Sequence, residues 1–160
     1  KYNLGWRNDF SFGNVGFGVM FAGRVGGIAV SMTEAALDHY GVSKNSADAR
    51  DAGGVDLNGF KANAKSYFEE RKNRIAQYYT YSATNFRLQE AYISYKLPRK
   101  LINNTMDLTL SIVGRNLAML YCKAPFDPEA ISSTSNYSQG LDYFMMPSLR
   151  SYGLSLKANF

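Results

Sequence analysis

The sequence predicts an all-β fold, and three observations carry that prediction. The first is a long alternation: Tyr152, Leu154, Leu156, Ala158 and Phe160 are apolar, while Ser151, Gly153, Ser155, Lys157 and Asn159 are polar or small. A period of two puts one set on each face of a strand. The second is composition: 12 Tyr and 10 Phe beside 14 Gly and 1 Trp make a β-leaning, aromatic-rich chain. The third is that the strand-like segments are joined by alternately short and long connections. Tight turns at one end and long loops at the other are the asymmetry of a transmembrane β-barrel, whose strands face lipid on one side and the lumen on the other. A soluble β-sandwich could end on such a strand but has no reason to alternate its connections.

Five strands are expected. Residues 4–12 form the first, closed by Gly13-Asn14, a tight-turn dipeptide. Residues 15–30 form the second, with Val15, Phe17, Val19 and Phe21 opposite Gly16, Gly18, Met20 and Ala22. The third, residues 86–97, ends at Pro98, which has no N–H to give a ladder. Its Ala91, Ile93, Tyr95 and Leu97 are apolar, and its Glu90, Tyr92, Ser94 and Lys96 polar. The fourth is residues 106–117, with Leu108, Leu110 and Ile112 opposite Asp107, Thr109 and Ser111. Residues 148–160 form the last. The short connections, 13–14 and 98–105, are assigned to the periplasm, which places the C-terminus there too; the long ones, 31–85 and 118–147, are assigned to the extracellular side.

The long loops are expected to carry short helices. In residues 33–41, Thr33 reads as the N-cap, Ala36, Leu37 and Tyr40 as the apolar stripe, and Gly41 as the stop. Residues 60–74 read as a second helix, after a bend at Gly53-Gly54. Tyr78, Tyr79 and Tyr81 read as an interfacial aromatic belt.

No run approaches the roughly 18 apolar residues of a membrane helix, so a membrane role must be a barrel role. A mean hydropathy of −0.28 does not oppose it, because half of each barrel strand is polar. Net charge is +5 and the pI about 9.3. No basic block is dense enough for nucleic acid, and residues 61–74 mix Lys, Arg and Glu as a solvated face would. Cys122 is the 1 cysteine, which excludes an internal disulfide and a multi-Cys metal site. Five strands fall short of the roughly 8 of the smallest bacterial barrels, and an open sheet cannot satisfy its edges in lipid. The chain also starts at Lys1 without a leader. Residues 1–160 are therefore expected to be the C-terminal part of a larger barrel.

No catalytic, cofactor or metal set emerges. Asp127 and Glu129 flank Pro128, and carboxylates so close in a loop form turns or donate oxygens rather than work as an acid–base pair. His39, the 1 histidine, has no nucleophile motif beside it and reads as a helix-surface residue. Gly23 to Gly27 lacks the spacing of a phosphate loop. Arg87 and Arg115 fall near strand ends at the extracellular rim, where a salt bridge or a cargo contact is expected. The loop aromatics Tyr121, Phe126, Tyr137, Tyr143 and Phe144, with Met145 and Met146, suit a docking surface.

Four stretches carry a family likeness in order: residues 83–90 running into Ser94-Tyr95-Lys96-Leu97-Pro98, then Gly114-Arg115-Asn116-Leu117, then Asp127-Pro128-Glu129, then residues 142–147 and the strand to Phe160. Together they resemble the C-terminal end of the SusC/RagA family, TonB-dependent outer-membrane transporters of Bacteroidetes. The stretch from Phe10 to Gly27 fits the preceding hairpin more loosely. The resemblance implies a plugged barrel of about 22 strands, energy from TonB, a SusD-like lipoprotein lid and oligosaccharide or oligopeptide cargo. It also implies that Phe160 takes part in barrel closure and assembly. Transport, not enzymatic catalysis, is the function expected; the alternative is a soluble carbohydrate-binding β-sandwich.

Overall fold

The computed structural model describes residues 2–74, 76–98, 106–130, 135 and 138–159. In chain order the elements are β1 (Tyr2–Phe12), β2 (Val15–Val25), β3 (Ile28–Ser31), α1 (Met32–His39), α2 (Lys44–Asp51), β4 (Val55–Leu57), β5 (Phe60–Ala62) and α3 (Ala64–Arg74). A 3-10 turn, Ala76–Tyr79, leads to β6 (Thr80–Ser82), β7 (Asn85–Lys96), β8 (Asp107–Cys122), β9 (Leu141–Asp142) and β10 (Ser151–Asn159). Strand at 52% against 21% helix makes the chain all-β, as expected. Two compact units divide it: Lys1–Gly27, Ala83–Pro125 and Ser148–Phe160 in one, Ile28–Ser82 and Phe126–Pro147 in the other.

The first unit is one antiparallel sheet in the order β1-β2-β7-β8-β10. Gly13, at φ 58°, turns β1 into β2 with Phe12 opposite Val15. The second strand stops at Val25 rather than running to residue 30, because Gly26 and Gly27 both take positive φ (81° and 94°). The Gly26 amide donates to Thr84 Oγ1 there. The fourth strand continues past Leu117 to Cys122, so the following loop starts later than residue 118. Tyr121 and Cys122 are strand residues paired with Phe86 and Asn85, not loop residues. Part of the 98–105 turn and Phe160 lie outside the described residues.

The second unit folds the long connections around a three-stranded sheet, β6-β3-β9, and three helices. The first helix is capped by Ser31, whose hydroxyl accepts the Glu34 amide, and not by Thr33. Thr33 Oγ1 instead accepts the Phe144 amide at 2.6 Å. Gly41, at φ 70°, ends the helix in the left-handed region. The helix expected over 60–74 begins only at Ala64, because Phe60–Ala62 pairs with Val55–Leu57 across an Asn58-Gly59 turn. Helix α2 had no expectation behind it; it is hydrophilic throughout and starts on a Ser43 cap. Tyr79 is buried and Tyr81 half-buried in this unit, which removes both from an aromatic belt.

Candidate functional site

Residues opposite one another across a sheet share a face, so register alone defines two faces in the five-stranded sheet. Phe10, Phe17, Ile93, Ile112 and Leu154 stand side by side across all five strands. Phe12, Val15, Tyr95, Leu110 and Leu156 form the adjacent row. Ring stacking runs along this face: Phe10 on Phe17 at 4.8 Å, Trp6 on Phe21 at 5.5 Å, Phe21 on Phe86 at 5.7 Å. The face is nevertheless open, with Leu154 at 78% and Phe12 at 69% exposure.

The opposite face is mostly polar in β1, β7, β8 and β10, while β2 lends it Gly16, Gly18, Met20 and Ala22. Ser11, Gly16, Ser94, Ser111 and Ser155 make one row; Arg7, Met20, Glu90, Arg115 and Ser151 make another. Charges pair along it. Arg7 Nε donates to Asp9 Oδ2 at 2.9 Å, Tyr92 OH donates to Asp9 Oδ1 at 2.7 Å, and Arg115 Nε donates to Glu90 Oε2 at 3.0 Å. Gly18 leaves the space this network needs, since a Cβ there would stand 2.2 Å from the Tyr92 ring.

Arg87 reaches this face through an irregularity. Strict alternation in β7 would put it with Ala91, Ile93 and Tyr95 on the apolar side. Leu88 and Glu90 pair with the consecutive residues Phe21 and Met20 of β2, so Gln89 is an extra residue. The bulge carries Arg87 over to the face of Glu90, opposite Ala22 and Met119, where it is 2% exposed. On β8 the matching irregularity is Asn116, at φ 51°. Its side-chain amide donates to the Ser148 carbonyl at 2.8 Å, fastening the chain just before β10.

In the second unit a buried polar cluster ties the helices together. The Asp38 carboxylate, fully buried, accepts from Ser43 Oγ, from Arg71 Nη2 at 2.7 Å and from Tyr79 OH at 3.0 Å. The Arg71 guanidinium also lies over the rings of Phe68, Tyr78 and Tyr79. Burial pushes the Tyr79 hydroxyl up to about 12. Tyr81 is raised as well, by burial and by its hydrogen bond to the Glu34 carboxylate. Ser31 Oγ donates to Asp142 Oδ2 at 3.0 Å, joining α1 to β9.

Arg87 and Arg115 thus share the polar face of the sheet, while Asp127, Glu129, Tyr143 and Phe144 belong to the second unit. Asp127 Oδ1 accepts the Glu129 amide at 3.1 Å, which makes this pair a turn. Tyr143 and Phe144 are exposed and meet edge to face at 5.1 Å. No group of three or more metal-type side chains occurs among the described residues. The Asp38 cluster and the Gln89 bulge escaped sequence reasoning. The first joins residues up to 41 apart in sequence, and the second leaves no mark on composition.

Over 166 aligned residues the chain is 26% identical to TonB-dependent receptor P3 of Formosa agariphila. The match takes in 99% of this chain and 16% of the receptor, so the chain spans about one sixth of the length of that curated relative. No family model matches the chain.

Proposed function

We propose that this chain is part of a TonB-dependent outer-membrane transporter of the SusC/RagA kind, and that its five-stranded sheet is a segment of the barrel wall. The observation that carries the reading is the apolar face, continuous across five strands and open, opposite a face of serines and paired charges. Water would penalise so broad an apolar surface, whereas a bilayer is its natural solvent. The likeness to a TonB-dependent receptor supports the same reading and favours a transporter over an enzyme. Among the described residues β1 and β10 each pair on one side only. Further strands of the same barrel would satisfy those edges in lipid.

In this reading the barrel is plugged, TonB supplies the energy, and the cargo is an oligosaccharide or oligopeptide. The tight turns and the C-terminus face the periplasm, and the long connections lie on the extracellular side. Arg87 and Arg115 face the lumen, and Asp127, Glu129, Tyr143 and Phe144 belong to the surface where a SusD-like lipoprotein docks.

The test is cysteine scanning in the full-length protein after Cys122→Ser. Ile93→Cys, Ile112→Cys and Leu154→Cys should react with a lipid-phase maleimide, whereas Ser94→Cys, Ser111→Cys and Ser155→Cys should react only with a water-soluble one. Equal reactivity of both sets, or recovery of the protein in the soluble fraction, would overturn the barrel reading in favour of a sandwich.

A further inference from the structure

The second unit contains a cavity of about 490 Å³, formed by α1, α2, the Gly53-Gly54 turn and the start of α3. That volume lies within the range of small-molecule sites. Its lining is chemically one-sided. Arg50 and Lys65 supply two cations, and Tyr40 and Phe68 supply apolar ring surface. The 1 carboxylate in the wall, Asp38, is fully buried and already accepts from Ser43, Arg71 and Tyr79. It therefore does not offer a charge to the cavity.

Both cations keep donors for a ligand. The Arg50 guanidinium has five N–H groups, and its hydrogen bond among the described residues is from Nη1 to the Gly41 carbonyl at 2.6 Å. That bond fixes the head at the cavity wall while the rest of the fork stays open. Lys65 is 81% exposed and lies 4.0 Å from Glu69, the far limit of an ion pair. His39, also in the wall, has its Nδ1 buried with no hydrogen-bond partner among the described residues. The ring of Tyr40 stands open at 75% exposure beside them.

We propose that this cavity binds a small carboxylate-bearing ligand, its charge held by Arg50 and Lys65 and its body against Tyr40. A guanidinium fork and an ammonium suit a carboxylate, and the apolar lining favours a ligand with a ring or methyl-bearing body over an inorganic ion. A uronic-acid sugar and a peptide C-terminus share that chemistry.

Titration calorimetry on the detergent-solubilised full-length protein separates these sources. One pair of probes is a uronic-acid disaccharide and its neutral methyl ester; the other is N-acetyl-dialanine and its neutral C-terminal amide. One acid should bind and its neutral counterpart should not, with affinity falling as salt rises. Arg50→Gln and Lys65→Gln should each weaken binding about tenfold or more, while Lys44→Gln, outside the wall, should leave it unchanged. Because Arg50 also holds Gly41, the exposed Lys65 variant keeps the test valid if Arg50→Gln disturbs the fold. Equal binding of acid and neutral forms, binding indifferent to Lys65→Gln, or binding of none of the four probes overturns the proposal. Binding is read directly, so its failure is distinct from failure of the transport reading, which the cysteine labelling decides.

Discussion

Asp38 shows how much of the second unit rests on single side chains. It is fully buried and accepts three hydrogen bonds, one from a guanidinium that is itself 13% exposed. Removing one member of a buried pair strands the other charge and costs about 3–5 kcal/mol. Asp38→Ala should therefore open this unit to limited proteolysis while the five-stranded sheet stays resistant, as cleavage followed by electrophoresis would show. Tyr79 adds a pH dependence. Burial raises its hydroxyl from 10.0 to about 12, so the folded state favours the neutral phenol. Its contribution is complete below pH 10.0 and is lost as pH rises through about 12. Protease resistance of the unit should fall across that window, and Tyr79→Phe should remove this step. None of this was legible in the sequence, where Tyr79 reads as one of several aromatics near a strand.

At the scale of elements, local signals were reliable where they were short-range. The Gly13 turn and the alternation of β8 and β10 needed only neighbouring residues to be read. The Asn58-Gly59 turn is of the same short range, and the hairpin it closes takes Phe60–Ala62 out of the helix expected over 60–74. The cap of α1 was displaced from Thr33 to Ser31, because both hydroxyls could cap and the contact to Asp142 selects Ser31. Ser31→Ala should fray α1 at a cost of about 0.5–2 kcal/mol, seen as faster hydrogen exchange at the Glu34 amide. Thr33→Ala should leave that amide protected and loosen the Phe144 turn instead. The Gln89 bulge makes a sharper prediction. Deleting Gln89 leaves Leu88 and Glu90 as neighbours opposite Phe21 and Met20, so plain alternation then puts Arg87 on the polar face and Phe86 and Leu88 on the apolar one. The deletion should therefore behave as the intact protein does in heat-modifiable migration, and loss of that behaviour would show that the bulge itself is required.

At the scale of the whole molecule, the amphipathic sheet is the feature on which the proposed function turns. Its rows hold register across five strands, so each strand supplies two or more apolar residues to one surface, and all but the glycine-rich β2 supply mainly polar residues to the other. The proposed lid contact belongs to this scale too. Leu141–Asp142 is a strand of the second unit, so loop deletions reaching it would damage the fold. Exposed side chains test the contact more cleanly: Tyr143→Ser combined with Met146→Ser removes two open apolar groups. This double variant should lower co-purification of the proposed lipoprotein with the full-length protein by about tenfold while the level of the full-length protein in the membrane fraction is unchanged. Wild-type stoichiometry would place lid docking elsewhere.

The sequence by itself determined the all-β class, three of the five sheet strands to within a few residues at both ends, and which face of most strands is apolar. Each of those follows from the period-two geometry of an extended chain, a property of residues next to one another. Tertiary structure alone decided that Arg87 joins the polar face, that Ser31 rather than Thr33 caps α1, and that Asp38, Arg71 and Tyr79 meet. A bulge shows only against a paired strand, and a buried charge only against a partner far along the chain. The cavity beside Arg50 and Lys65 has the same origin, because it exists only once three helices and a glycine turn enclose it.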